Sequence, residues 1–340
     1  MVLCKCFDLE GVPSAGFATI RLGRRRRYVA VRIGGLWRRR SVTDRDASTL
    51  QPPPAHRCRG RATETQRRNA ARLEQIDSDG TATRTQGAKG HSAATRHIVV
   101  VILENKHRSS VITQAPYLKR LAAKGANLTH SYGVTHPSQP NYLALFSGST
   151  HGVRSNACPK QFRKANNLGH QLRQSGFRFI GYSESLPKTG FRGCASGRYL
   201  RKHNPWVNFG TLPAGANQPF TAFPRDYRKL PTVSFVSPNM CHGMHDCSVR
   251  TGDRWMKKHF DRYARWAPRH NSWLIVTFDE NAGGKVKPIF TIIVGAKVRS
   301  GVYAERLNHY KLLRTIEESY GLPPLGHAKG VRPLSTLWTS

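Results

Sequence analysis

Two short apolar runs constrain the fold of this 340-residue chain more than any other feature. The runs are His97–Leu103 and residues 273–278, and both are rich in β-branched or aromatic side chains. Runs of this length and composition are typical of strands that are buried on both faces. Such strands occur mainly in parallel sheets that are covered by helices. The two runs therefore predict the centre of an α/β sheet.

From residue 96 onward, strand-like and helix-like segments alternate. Apolar runs predict further strands, and periodic segments with helix start or stop signals predict helices. The further strands are 178–182, 232–236 and 290–294, and the helices are 114–124, Ser138–Ser147, Leu168–Gln174, 252–266 and 309–320. This alternation predicts an α/β domain with a doubly wound, mostly parallel sheet and helices on both faces.

The first 95 residues have a different composition. They carry arginine clusters at 24–27 and 38–40 and a proline run at 52–54, without apolar periodicity. The apolar segment at 28–33 is too short to build a core that would offset chain entropy. We therefore predict that residues 1–95 are a disordered basic leader or tail, or an extension from a start placed too early. Residues 96–340 are predicted to form the folded domain.

The charge of the chain predicts an anionic partner or substrate. Lys and Arg number 55 against 19 Asp and Glu, which gives a formal charge of +36. Nucleic acid, an acidic membrane surface and small phosphate esters all satisfy such an excess. Because no base-reading module is recognisable, we expect no specific nucleic acid partner. No apolar run approaches the roughly 20 residues of a membrane span, so no transmembrane segment is expected. The sequence specifies no oligomeric state.

Polar side chains follow both central strands. Glu104 and Asn105 come after the first run, and Asp279 and Glu280 come after the second. Ligands of open α/β sheets bind at the carboxyl ends of strands. Neighbours in a regular strand point to opposite faces, so Glu104 and Asn105 reach one ion only if the backbone turns there. Each pair alone also suits a solvated loop, but together they predict a metal site with oxygen ligands.

Ser138 lies at the start of a predicted apolar helix, within Thr-His-Pro-Ser-Gln-Pro-Asn at 135–141. A serine at this position is commonly an N-cap, and Pro140 suits the first turn. The same position also suits a nucleophile, because free N–H groups at a helix start hold a phosphate and a divalent ion activates the hydroxyl. Asn141, nearly one turn along, is placed to donate to a phosphate oxygen.

Histidines form a third candidate group: His203, His242, His245 and His309. His245 and Asp246 lie in a polar loop after a predicted strand, where they suit a metal ligand, a phosphate contact or a proton donor. Taken singly, each histidine is more often structural or on the surface, and His309 also suits a helix cap.

Four of the seven cysteines, Cys158, Cys194, Cys241 and Cys247, lie in the predicted domain and permit three pairings. The pairs Cys158–Cys194 and Cys241–Cys247 are candidates, and four reduced thiols are an equal alternative.

Together these segments resemble the bacterial phosphoesterase family that joins acid phosphatases with phospholipases C, within the alkaline-phosphatase superfamily. The matching segments are 102–105, 135–148, 202–205, 237–255, 278–281 and 308–326. The resemblance implies an alkaline-phosphatase-like fold with Ser138 as the nucleophile. It also implies metal ligation by Glu104, Asn105, Ser138, Asp279 and Glu280. Asn141, His203 and His245 are then expected to hold the phosphate or move protons.

The resemblance further implies a metal-dependent phosphoric ester hydrolase acting on small anionic phosphate esters. The segments at 135–142 and 320–326 resemble the phosphatase branch, which favours a phosphomonoesterase with a phosphoserine intermediate. The alternative is a phosphodiesterase or phospholipase C, but that branch usually carries Ser-Phe-Asp-His where this chain has Lys-His-Arg-Ser at 106–109. Oxygen ligands favour Mg, Ca or Mn, with Zn possible. Members of the family are usually exported. A secreted protein with both disulfides is therefore expected, although no signal peptide is readable.

Overall fold

The chain divides into two units, Met1–Gly87 and Ala88–Ser340, in the computed structural model. The structure describes residues 18–21, 27–33, 36–41 and 95–339, and the first three ranges only as strands. These strands, β1 (Ala18–Arg21), β2 (Arg27–Ile33) and β3 (Leu36–Ser41), pair antiparallel in that order. The rest of the predicted basic extension lies outside the described residues, so its assignment stays a prediction.

The second unit alternates strands and helices, as the sequence predicts. Its strands are β4 (His97–Leu103), β5 (Ala126–Tyr132), β6 (Phe179–Ser183), β7 (Ala195–Ser196), β8 (Tyr199–Leu200), β9 (Asn217–Pro219), β10 (Val233–Ser237), β11 (Ser272–Phe278), β12 (Ile289–Gly295), β13 (Gly301–Tyr303) and β14 (Leu307–Asn308). Its helices are α1 (Arg108–Gln114), α2 (Pro116–Ala123), α3 (Ser138–Ser147), α4 (Leu168–Gln174), α5 (Val249–Trp266) and α6 (His309–Ser319).

The central sheet has the order β13-β5-β12-β11-β4-β10-β6-β9, and β14 also pairs with β5. In this sheet β12 runs antiparallel to β11 and β5, and the other pairings are parallel. The pairing of β4 with β11 ends at Leu103 opposite Phe278. The residues that follow these two strands therefore lie side by side at one edge of the sheet.

Two cores sandwich the sheet. Every residue of β4 and β11 is buried, which confirms that both strands are covered on both faces. Ile98 and Val100 pack with α3, α4 and α6, whereas Val99 and Val101 pack with α2 and α5. Alternate side chains of one strand thus enter opposite cores, as the two-residue period of a strand requires. The doubly wound α/β fold is confirmed.

Several helix boundaries differ from the predicted ones. The helix predicted over 114–124 is α2, which begins at Pro116, and the preceding helix α1 was not predicted. Ala115 separates the two helices, with φ and ψ of −113° and 81°. The break follows from Pro116, because a proline disfavours helical geometry in the residue before it. Helix α5 begins earlier than predicted, since Ser248 caps it by accepting from the Thr251 N–H.

Both candidate disulfides are present, Cys158–Cys194 and Cys241–Cys247. The pairing favoured by the family resemblance is therefore confirmed. No helix within residues 95–339 is long and apolar enough to cross a membrane.

Candidate active site

Ser138 is the first residue of α3 and is 1% exposed. It is not the cap of this helix, because Pro137 holds the N-cap position and no side chain makes a capping bond. Its Oγ lies 3.2 Å from Glu280 Oε1 and 3.3 Å from Glu104 Oε2, within reach of donating to either. The Asn105 Nδ2 lies 3.5 Å away, so the nitrogen of this amide faces the hydroxyl. The structure thus brings the predicted nucleophile next to three of the predicted metal ligands.

The backbone turns at Asn105, as a shared site requires. Asn105 has a φ of 51°, in the left-handed region that asparagine tolerates better than most residues. Its N–H donates to Asp279 Oδ1 at 3.0 Å, and the Asp279 N–H donates to the Leu103 carbonyl at 3.0 Å. These bonds join the ends of β4 and β11. Glu104 and Asn105 therefore both lie beside Asp279, which follows β11.

Three buried carboxyl groups meet at this edge of the sheet. Burial raises the pKa of Glu104 well above its usual range, and the charge of Asp279 adds to the rise. Burial also raises the pKa of Asp279, although the hydrogen bond from the Asn105 backbone N–H opposes this. Burial raises the pKa of Glu280 to about 8, and the charge of Asp279 adds to the rise. The three carboxyl groups therefore hold a proton more readily than carboxyl groups in water do, because burial disfavours their charged forms.

The donor atoms fit a hard cation. Among the described residues, no three His, Cys, Asp or Glu side chains form a preassembled metal cage. The predicted ligand set, however, also includes the Ser138 hydroxyl and Asn105. The Asn105 amide directs its nitrogen to Glu104 and Ser138, so it would present its oxygen to a cation only after its side chain rotates. Asp279 Oδ2 is buried without a hydrogen-bond partner, a costly arrangement that a cation would relieve. Oxygen donors of this kind suit Mg, Ca or Mn.

Two side chains that the sequence analysis did not single out complete the site. The Tyr142 hydroxyl donates to Glu104 Oε1, and His136 Nδ1 lies 2.7 Å from Glu280 Oε2. Tyr142 follows Ser138 by four residues, so both lie on one face of α3. His136 lies within the motif itself. Helical spacing from Ser138 and membership of the motif are the signals that could have identified them.

His203 lies deep in the site. Its Nε2 is 3.1 Å from Glu104 Oε1, and its ring stacks on Tyr142 at 5.3 Å between centroids. Burial lowers the pKa of His203 well below its usual value, and the nearby charge of Lys202 lowers it further. His203 is therefore a neutral imidazole that contacts a predicted ligand.

His245 and Asp246 form a pair at the more open side of the site. His245 Nδ1 lies 2.7 Å from Asp246 Oδ1, and the His245 ring is 6.3 Å from the His203 ring. Both side chains are partly exposed, so they have access to solvent. This geometry suits a group that exchanges protons with substrate and water.

His242 helps to hold the loop that carries His245. Its Nδ1 lies 2.8 Å from Glu184 Oε1, and Glu184 also accepts from Trp255 Nε1 at 2.9 Å and from the Asn239 N–H at 3.0 Å. These bonds anchor the loop that carries His245 to the ends of β6 and α5. Sequence reasoning did not single out Glu184.

Asn141 anchors its own loop. Its Nδ2 donates to the carbonyls of Thr135 and Pro137 at 2.8 Å and 3.2 Å. Its Oδ1 accepts from the N–H groups of Val134 and Thr135 at 2.8 Å and 3.2 Å. Both amide hydrogens thus have backbone acceptors. The predicted contact between Asn141 and a phosphate stays a prediction.

His309 contacts the backbone of a predicted metal ligand. Its Nε2 donates to the carbonyl of Asp279 at 2.6 Å, and burial lowers its pKa to about 4, so the ring is neutral. The cap of α6 is Asn308, whose Oδ1 accepts from the Tyr310 and Lys311 N–H groups. His309 therefore fixes the backbone of a predicted ligand and does not cap the helix.

Lysines supply positive charge at the rim. Lys106 and Lys202 are both half-buried, and both charges act on Glu104. They lie beside the buried serine, the three carboxyl groups and the neutral His203.

Comparisons with known proteins agree with this geometry. A model of the Phosphoesterase family matches residues 110–323. The phosphatidylinositol-3-phosphatase of Mycobacterium tuberculosis is 45% identical over 246 residues, which cover 71% of this chain and 82% of that protein. An acid phosphatase of Aspergillus fumigatus is 29% identical over 229 residues, which cover 62% of this chain and 51% of that enzyme.

A solved structure supports the fold. A protein in the alkaline phosphatase superfamily from Vibrio parahaemolyticus matches with a TM-score of 0.52 and 12% identity, and the match covers 72% of each chain. At that identity the likeness shows the fold alone, and it confirms the predicted alkaline-phosphatase-like architecture. From the family match and the phosphatase relatives, the chain belongs to the Phosphoesterase family and is a phosphoric ester hydrolase.

Proposed function

We propose that this hydrolase is a metal-dependent phosphomonoesterase that uses Ser138 as its nucleophile and forms a phosphoserine. One observation carries the proposal: the buried Ser138 hydroxyl lies within 3.3 Å of both Glu104 and Glu280, beside Asn105. A structural serine at a helix start would instead cap that helix, and Ser138 does not. Its surroundings are those of a reacting group.

Glu104, Asn105, Asp279 and Glu280, with Ser138 Oγ, would hold the divalent cation. The oxygen donors favour Mg, Ca or Mn, and Zn is the remaining candidate. When bound, the cation lowers the pKa of the serine hydroxyl and offsets negative charge on the phosphoryl group. Tyr142, His136 and His309 orient the ligands, since each contacts the side chain or carbonyl of one of them.

The reaction has two halves. Ser138 Oγ forms a bond to phosphorus, the bond from phosphorus to the ester oxygen breaks, and the departing oxygen takes up one proton as the serine loses one. Water then attacks the phosphoserine, which restores the hydroxyl and releases inorganic phosphate. In this proposal His245, which pairs with Asp246, supplies and recovers the proton, and Lys106 and Lys202 stabilise the phosphate charge.

The substrate class follows from charge and from the mycobacterial relative. That relative is named for phosphatidylinositol 3-phosphate, so a phosphomonoester on an inositol lipid is the first natural substrate to test. The net charge of +36 suits an anionic ester. We also propose that the protein is exported, because its two disulfides need an oxidising compartment.

Hydrolysis of p-nitrophenyl phosphate and bis-p-nitrophenyl phosphate by the full chain tests the proposal. We expect faster turnover of the monoester, loss of activity on treatment with a chelator, and recovery on addition of Mg, Ca, Mn or Zn. Faster turnover of the diester would instead indicate a phosphodiesterase of the phospholipase C type. Full activity in the presence of chelator would refute the metal dependence.

A further inference from the structure

A groove of about 310 Å³ lies between α2 and α5, away from the active site. Its apolar floor is formed by the buried residues Leu121, Ala264 and Val294, and the exposed Pro268 also lines the groove. Val294 pairs with Leu274, near the amino end of β11, whereas the active site follows the carboxyl end of that strand. A volume near 300 Å³ is at the small end of the range for ligand sites. The groove is therefore large enough for one small molecule.

The rim of the groove is strongly basic. Arg120, Lys124, Lys257 and Arg265 line it, with Asp261 as the one acidic lining residue. Arg265 pairs with Asp261 at 2.8 Å. The other three cations form no ion pair with any residue of the described part of the chain. The groove thus combines an apolar floor with three uncompensated positive charges.

Tyr117 also lines the groove and is 4% exposed, and its hydroxyl is buried. Because the hydroxyl oxygen is closed to solvent, a molecule in the groove meets the ring of Tyr117 and not its hydroxyl. The ring therefore adds to the apolar lining.

The walls of the groove are fixed before any ligand arrives. Asp253 of α5 accepts from the Tyr117 and Leu118 N–H groups at 3.0 Å and 2.9 Å, which caps α2 and ties it to α5. Asp253 is itself buried. A ligand therefore loses little binding energy to ordering of the backbone, and the ordering cost falls on the exposed Arg120, Lys124 and Lys257 side chains.

We propose that this groove binds one anionic amphiphile, with its head group at Arg120, Lys124 and Lys257 and its hydrocarbon chain on the apolar floor. Charge complementarity selects an anion, and the floor selects a molecule that carries a chain. The site is separate from the hydrolytic centre and does not depend on its mechanism.

Decanoate is the probe for this proposal, because it joins a carboxylate to a medium-length chain and is no phosphate ester. Calorimetric titration of the full chain should show saturable binding with one decanoate per protein. Acetate has the head group without the chain, and decyltrimethylammonium has the chain with the opposite charge. Both should bind at least about tenfold more weakly. Equal binding of all three, or no saturable binding of decanoate, would overturn the proposal.

Adjacent lysines provide a matched pair of variants. Lys257→Gln should weaken decanoate binding about tenfold, the loss expected for one charge-assisted hydrogen bond. Lys258→Gln removes the same charge from an exposed neighbour that does not line the groove, so it should leave the affinity unchanged. Equal losses in both variants would mean that decanoate senses only net charge, and would overturn the proposal.

Hydrolysis of p-nitrophenyl phosphate should be unchanged in Lys257→Gln and Lys258→Gln, because neither residue lies in the active site.

Discussion

Tyr142→Phe isolates one hydrogen bond to the proposed metal ligand Glu104. The Tyr142 hydroxyl is buried and donates to Glu104 Oε1, and the ring stacks on His203. Phenylalanine keeps the ring and its packing, so the variant removes the donor alone. A hydrogen bond to a charged group contributes about 1.5–3 kcal/mol, which corresponds to roughly 10- to 150-fold in a rate or binding constant. Partners of metal ligands typically change affinity or activity by about 10- to 100-fold.

We therefore expect kcat/KM of Tyr142→Phe for p-nitrophenyl phosphate to fall by about 10- to 100-fold. The apparent affinity for the activating metal should fall with it, measured by titrating metal into chelator-treated enzyme. The melting temperature should change little. A folded variant whose kcat/KM and metal dependence stay within about twofold of the wild type would refute the role assigned to this bond.

Tyr263→Phe is the matched control. Its hydroxyl is also buried, but it donates to the backbone carbonyls of His97 and Trp273, in the core on the α5 side of the sheet. Loss of these neutral bonds should lower the free energy of unfolding by about 1 kcal/mol and leave kcat/KM unchanged. Tyr142→Phe should thus lower activity with little change in stability, whereas Tyr263→Phe should lower stability with no change in activity.

Two further predictions concern stability. The disulfide Cys158–Cys194 closes a loop of sequence separation 36, and Cys241–Cys247 closes one of separation 6. The chain-entropy relation predicts that replacing both cysteines by Ser lowers the free energy of unfolding by about 4 kcal/mol for the first pair and about 2 kcal/mol for the second. Urea unfolding of the two double variants should show this order, and the reverse order would contradict the estimate. Burial raises the pKa of Glu317 to about 8, so the folded state favours the protonated carboxyl more than the unfolded state does. The free energy of unfolding therefore decreases as pH rises from the ordinary pKa of glutamate towards 8. Glu317→Gln should therefore lose less stability than the wild type between about pH 5 and pH 9 in thermal unfolding, and parallel pH profiles would contradict this.

The sequence was most informative where strands are buried on both faces. In β4 and β11 every side chain is buried, so each strand leaves a continuous apolar run with a clear end. Glu104 and Asp279 directly follow those ends, and the parallel register brings them together. The general rule that ligands bind at the carboxyl ends of strands was therefore enough to predict this part of the site.

Strand β5 shows why other elements were missed. Its sequence, Ala-Asn-Leu-Thr-His-Ser-Tyr, is partly exposed and includes polar residues on both faces. No apolar run or clean alternation distinguishes such a segment from a loop. Its place in the sheet depends on pairing with β12, β13 and β14, all of which lie more than 150 residues away along the chain. The break at Ala115, by contrast, was readable from Pro116.

Contacts between distant side chains were beyond sequence reasoning. His309 reaches the Asp279 carbonyl across 30 residues, and Tyr142 reaches Glu104 across 38. Helical spacing shows that Tyr142 shares a face with Ser138 but does not show what that face contacts. In the same way, the sequence places Asn141 near Ser138 without revealing that the backbone of its own loop already occupies its amide.

The nucleophile is tested most directly by trapping the intermediate. The full chain, mixed with a phosphomonoester that carries radioactive phosphate and then quenched in acid, should hold label on the peptide that contains Ser138. Ser138→Ala should take up no label and lose at least ~10³-fold in kcat, because no other group replaces the nucleophile. Label on another residue, or substantial turnover by Ser138→Ala, would contradict the account.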